Sequence, residues 1–195
     1  ERPMHDRSIS GLYPPASTFK ALVGLAALEE KETALSSTVF CSGAFTLGNR
    51  TFRCWKRSGH GRVNLLTALQ DSCDVYFYQT GLKLGITRLL KWCALFGLGS
   101  PTGIDIPGES GGIIGGPDWK KTRLKESWYH GDTVNYSIGQ GFLLTTPLQI
   151  ARLYAAIANG GRLIRPRLLV TGEEDGRRLP VDVKNLDLIR KGLDY

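Results

Sequence analysis

The sequence predicts a globular chain of mixed α and β structure, mainly helical, and three observations lead there. Apolar residues fill 42% of its 195 positions, enough for a core and too many for a disordered chain. Four stretches, 21–30, 62–81, 85–97 and 146–159, carry helical patterning. One stretch, 162–170, reads as a strand broken by Pro166.

Each element has its own justification. Pro14 and Pro15 keep a helix from starting early, because they fix φ and disfavour the α region just before them. Ser17 therefore falls at or just inside a helix N-terminus, and 21–30 continues that helix with Leu22, Leu25, Ala26 and Leu28 on an apolar side. Residues 38–61, rich in Gly, Cys, Arg and aromatics, show no period and read as irregular. Residues 62–81 read as a helix interrupted near Ser72, with Gly81 as its C-cap, and 85–97 as another helix. Residues 98–131 read as a long Gly/Pro loop. Thr146 and Pro147 supply an N-cap and a first-turn proline to the 146–159 helix, which stops at Asn159-Gly160-Gly161. The tail from 171 is polar, with a final helix over about 184–192.

Composition narrows the function classes. The net charge of +7 has no basic stripe interleaved with aromatics, so a solvated basic surface fits better than a nucleic-acid site. No apolar run reaches the length of a membrane span, and no signal peptide is recognisable. The opening residues Glu1 to Arg7 look like a chain cut from something longer.

Ser17 and Lys20, three residues apart, share one helix face. A serine hydroxyl attacks well once a base takes its proton, and a lysine serves if it is neutral. Ser-x-x-Lys alone also fits an N-capping serine beside a solvated lysine. The octapeptide Tyr13-Pro14-Pro15-Ala16-Ser17-Thr18-Phe19-Lys20 resembles the nucleophile motif of the penicillin-binding proteins, the D,D-transpeptidases of peptidoglycan synthesis. Members often have Gly at the position of Ala16 and Pro at that of Ala21. Ser72-Cys73-Asp74 resembles the family's Ser-x-Asn motif, with the Asp variant familiar in elongation-type class B members. The blocks 96–109 and 131–149 resemble family segments too, so the likeness spans nearly the whole chain.

The resemblance implies an α+β fold, a helical subdomain packed on an antiparallel sheet. It implies Ser17 as nucleophile, Lys20 as base, Ser72 as proton relay, and Asp74 beside them in the catalytic cleft. The family's third motif, Lys-Ser/Thr-Gly on an edge strand, is missing. The Thr-Gly pairs at 80–81, 102–103 and 171–172 lack the preceding lysine. Residues 1–195 are therefore expected to be a partial transpeptidase domain, without the C-terminal strands and without an N-terminal membrane anchor, and to acylate weakly or not at all in isolation.

Cys41, Cys54, His60 and Cys73 form a Cys-x12-Cys-x5-His-x12-Cys pattern around the stretch that lacks an apolar period. Three thiolates and an imidazole make a closed structural zinc site, and metal would supply the missing stabilisation. A Cys41–Cys54 disulfide and buried free thiols are the alternatives. Some elongation-type members carry zinc here with Asp in place of some cysteines. Cys93 lies in an apolar helical pattern and reads as core; His5 and His130 read as surface or loop residues.

The function implied by the resemblance is peptidoglycan cross-linking through a serine acyl-enzyme, with β-lactams as covalent inhibitors. The implied location is the inner membrane, with this domain in the periplasm. The implied partners are D-Ala-D-Ala stem peptides, a RodA-type lipid II polymerase and an MreC-type scaffold. A β-lactam-sensing module and a class D-like β-lactamase are the rival readings.

Overall fold

The computed structural model describes residues 6–169 and 175–194. Its centre is α1 (Lys20–Glu29), entered through a 3-10 turn, Ala16–Phe19. Every residue from Lys20 to Leu28 is buried, so the helix is covered on all sides. Its neighbours are α2 (Leu65–Gln70), α3 (Asp74–Leu95) and α7 (Val183–Leu193). The approach is close at Gly24, where an added Cβ would lie 3.0 Å from Leu65 Cδ1 and 3.2 Å from Ile189 Cδ1. Phe19, Leu22, Leu25, Phe77 and Tyr136 sit in one core.

The class is α+β, with antiparallel pairing throughout. Among the described residues the strands pair two by two, with no larger sheet. The stretch read as irregular folds into two ribbons. In one, β1 (Val39–Cys41) pairs with β4 (Gly61–Val63); in the other, β2 (Ala44–Leu47) pairs with β3 (Arg50–Arg53). Strands of three or four residues are too short to print an alternation. The pair β5 (Ile113–Ile114) and β6 (Leu143–Leu144) is shorter still.

The helix boundaries also differ from the sequence reading. The expected 62–81 and 85–97 helices become α2, a break at 71–73, and one long α3 kinked at Gly85 (φ 72, ψ 160). Gly81 is not a cap. It is buried within α3, where a Cβ would stand 2.2 Å from Ser137 Cβ, so its role is close packing. The supposed loop 98–131 contains α4 (Pro117–Leu124), whose polar composition hides any periodic apolar signal. His130 opens a further helix, α5 (His130–Tyr136). α6 (Pro147–Ala158) matches its expectation, with Thr146 and Gln149 forming a capping box. The expected 162–170 strand contracts to β7 (Arg162–Ile164), which pairs with β8 (Gly176–Arg178) in the tail read as polar coil. The chain beyond Ile164 leaves the ladder at the Pro166 break, and Leu168 and Leu169 are exposed. His5, Val170 and the Thr171-Gly172 pair lie outside the described residues.

Candidate active site

The entry to α1 is fixed by tertiary contacts. Tyr13 exchanges backbone hydrogen bonds with Thr145, and Ala16 N donates to Gly139 O at 2.9 Å. Gly139 (φ +71) lies so close that a Cβ would be 2.3 Å from Ala16 O. Ala16 itself takes a positive φ of 49, a conformation that costs a non-glycine residue roughly 1–3 kcal/mol. Ser17 follows, exposed on the first turn, and Lys20 N donates to Ser17 O.

Lys20 is 2% exposed. Its Nζ donates to Ser72 O and Ser72 Oγ, both at 2.9 Å, and to Asp74 Oδ1 at 2.5 Å. Nζ thus stands within hydrogen-bond distance of three oxygens at once. Lys20 Nζ and Asp74 Oδ1 stand at salt-bridge distance, and Ser17 Oγ has no hydrogen-bond partner among the described residues.

Ser72 owes its place to the end of α2. Ser72 N donates to Leu69 O at 3.1 Å and Cys73 N to Ala68 O at 2.9 Å, the double bond pattern of a Schellman motif. That motif puts its αL residue at Ser72 (φ 49), where glycine would be the easy choice. Cys73 then caps α3, and Asp74 lies in the first turn, where the helix dipole favours a carboxylate.

Trp55 locks this loop from the other side. Its backbone N–H donates to Asp74 Oδ2 at 3.0 Å, and its indole N–H to Asp71 O at 2.9 Å and Ser72 O at 3.2 Å. Each Asp74 oxygen is thus taken, one by α1 and one by the 38–63 lobe. An open cleft of about 580 Å³ brings Ser17, Ser72 and Asp74 together with Arg53, Cys54, Trp55, Arg57 and Tyr78. Burial, and then the charge of Asp74, push the Tyr78 phenol up, so it stays a donor, to Arg53 O at 3.1 Å. Sequence reasoning missed Arg53, Trp55, Arg57 and Tyr78. The available signal was the adjacency of Trp55 to Cys54.

Cys41, Cys54, His60 and Cys73 converge. One potential ligand atom from each lies within 4.8 Å of all the others. His60 Nδ1 is 3.6 Å from both Cys41 Sγ and Cys54 Sγ. A tetrahedral ion with ordinary zinc–sulfur and zinc–nitrogen bonds separates its ligands by about 3.6 Å, so the donor set fits zinc in chemistry and in spacing. No disulfide joins the four cysteines. Burial first, and the thiols of Cys41 and Cys54 after it, push Cys73 up to about 12, so without a cation the Cys73 thiol stays protonated. His60 Nε2 is buried with no partner, and the ring meets Trp55 edge-on at 5.3 Å. Cys93 lies apart from the cluster, fully buried, and burial pushes it up to about 12. His130 is exposed at the start of α5.

Comparison with known proteins places this geometry. Residues 1–195 match the family described as penicillin binding protein transpeptidase domain. The peptidoglycan D,D-transpeptidase MrdA of Haemophilus influenzae is 42% identical over 170 residues, covering 86% of this chain and 26% of that protein. A crystal structure of Pseudomonas aeruginosa PBP2 in complex with WCK 5153 is 37% identical, with a TM-score of 0.89 over 98% of this chain and 46% of that one. Helicobacter pylori PBP2, in its complex with MreC, is 37% identical with a TM-score of 0.91, over 97% of this chain and 36% of that one. The chain thus spans roughly a quarter of the curated relative and less than half of either solved chain.

Proposed function

Because this chain belongs to the penicillin-binding protein transpeptidase family, we propose that it carries the nucleophile half of a peptidoglycan D,D-transpeptidase of the elongation type. The observation that carries the proposal is the placement of Lys20 Nζ, one helical turn from Ser17 and bonded to both Ser72 and Asp74.

In this reading Ser17 Oγ attacks the carbonyl of the penultimate D-Ala. A protonated Lys20 must first give up a proton, and Asp74 Oδ1, 2.5 Å away, is placed to take it. Substrate covering the cleft excludes water and favours the neutral lysine–carboxylic acid pair over the ion pair. Neutral Lys20 then receives the Ser17 proton as the Oγ–carbon bond forms. The proton passes through Ser72 Oγ to the amine of the departing D-Ala as the carbon–nitrogen bond breaks. An amine of a second stem peptide resolves the ester and makes the cross-link. A β-lactam ring imitates D-Ala-D-Ala and stops the sequence at the ester.

Cys41, Cys54, His60 and Cys73 would hold a structural zinc ion. Cys41, Cys54 and His60 from the 38–63 lobe and Cys73 from the 71–74 loop would together tie the two segments, leaving no ligand position for substrate. The chain's own residues then transmit that rigidity, Cys73 between Ser72 and Asp74, and Trp55 beside Cys54.

No helix among the described residues is long and apolar enough to cross a membrane. A periplasmic domain attached to the inner membrane is proposed from family membership. So are a RodA-type polymerase and an MreC-type scaffold as partners, the latter supported by the Helicobacter pylori complex. The test is labelling of the full-length gene product with a tagged penicillin and digestion. The expected label is on the peptide carrying Ser17, and it should vanish in Ser17→Ala. Label that survives that substitution contradicts the assignment.

A further inference from the structure

The cleft beside Ser17 carries two guanidinium groups that the fold does not use. Arg53 ends β3, and Arg57 lies between Cys54 and His60; both are exposed, and both line the cleft with Ser17, Ser72 and Asp74. Among the described residues neither side chain makes a hydrogen bond or an ion pair. The acidic side chain lining the same cleft, Asp74, is already held by Lys20 and by the Trp55 N–H. Two arginines therefore line the cleft that holds Ser17, with no free negative charge among the lining residues.

These arginines stand on a stiff piece of chain. Gly43 (φ +93) and Gly59 (φ +78) let strands and loop approach until a Cβ at Gly43 would be 2.1 Å from Arg57 O, and one at Gly59 2.2 Å from Cys41 O. Cys54 N donates to Gly43 O at 2.9 Å, and the Arg53 carbonyl is held by Tyr78. A fixed backbone anchors both side chains at the rim of the cleft, and the planar donors of a guanidinium match a carboxylate in two bonds.

We propose that Arg53 and Arg57 form a carboxylate subsite that reads an anionic side group of the acyl donor, upstream of the bond that Ser17 attacks. This deepens the acyl-enzyme reading and rests on it. The ligand class is an acidic peptide whose internal carboxylate meets the two forks while its penultimate carbonyl meets Ser17. The lobe bearing the cysteine–histidine cluster is then also the wall that recognises the donor strand.

The test uses two penicillins that differ by one carboxylate. Carbenicillin carries an extra carboxylate on the acyl side chain, which lies upstream of the ring; benzylpenicillin lacks it. Acylation rates of the full-length gene product are followed by intact mass for the wild type, Arg53→Gln, Arg57→Gln, the double variant and the two Lys variants. The carbenicillin rate should fall about tenfold for each lost contact, with the benzylpenicillin rate held within about twofold. Lysine should restore part of the loss, and the wild-type preference for carbenicillin should shrink with added salt. A carbenicillin-to-benzylpenicillin ratio that stays the same in the double variant overturns the subsite and leaves the acyl-enzyme standing. Carbenicillin failing to label Ser17 where benzylpenicillin succeeds also overturns the subsite alone, whereas failure of both penicillins to label Ser17 in the wild type overturns the acyl-enzyme reading, and the subsite with it.

Discussion

The helix that carries Ser17 and Lys20 and the lobe that carries Trp55 meet at one carboxylate, yet they are held together by different means. In α1, nine consecutive residues, Lys20 to Leu28, are buried, mostly aliphatic. Over residues 38–63 the buried residues are Cys41, Gly43, Cys54, Gly59 and Val63. The helix stands on the hydrophobic effect. The lobe fully buries two thiols, two tight glycines and Val63, and its larger apolar residues Val39, Phe45, Leu47 and Phe52 are only partly buried against the core. What differs is what each region can lose. The position of Ser17 depends on the core, whereas Ser72 and Asp74 depend on the end of α2 and on the bonds from Lys20 and Trp55, which the proposed zinc would stiffen through Cys73 and Cys54.

Substitutions that act on one side alone should break that comparison. The largest effect is expected for Lys20→Arg. It keeps the positive charge near Asp74 and cannot release its proton. The acylation rate should fall by about 10²–10⁴, the usual range for losing a positioned base. An Arg variant that acylates at the wild-type rate would mean Lys20 acts through charge alone. Next comes Leu25→Ala, at a fully buried position of α1. It should cost about 2–5 kcal/mol in denaturant unfolding and leave the bound metal per chain unchanged. Metal lost together with stability would show that helix and lobe are one unit. The smallest effect is expected for Trp55→Phe, which removes the indole donor to Asp71 O and Ser72 O and keeps the backbone bond to Asp74. A cost of about 1 kcal/mol in the relay loop should slow acylation a few-fold with metal content intact. An unchanged rate would detach Trp55 from the relay.

The legibility of the sequence divides along the same line. Tyr13 to Lys20 announced the helix start at Ser17 because two prolines and the apolar run after them are local signals, and the role of Ser17 came only from the family resemblance. Thr146-Pro147-Leu148-Gln149 announced α6 for the same reason, since a capping box lies within four residues. The ribbons of the lobe stayed hidden because three-residue strands carry no period, and α4 because its surface is polar. Gly81 misled because a glycine late in a helical pattern reads as a cap, whereas its reason here is the neighbouring Ser137. The Lys20–Asp74 ion pair spans 54 positions, and the bonds of Trp55 to the 71–74 loop are equally non-local, so no spacing rule reaches them.

Metal and rate measured together on one sample address the division of labour most directly. The full-length gene product, purified without chelator, is analysed for zinc and its acylation by benzylpenicillin timed, before and after the metal is stripped by a chelator and then returned. About one zinc per chain is expected. Stripping should slow acylation by about tenfold or more, the scale of effect that loosening a ligand-bearing support produces. The label should stay on Ser17, and zinc should restore the rate. A protein without zinc whose Cys41 and Cys54 are joined as a disulfide, or one whose acylation rate is the same with and without the metal, would contradict the account.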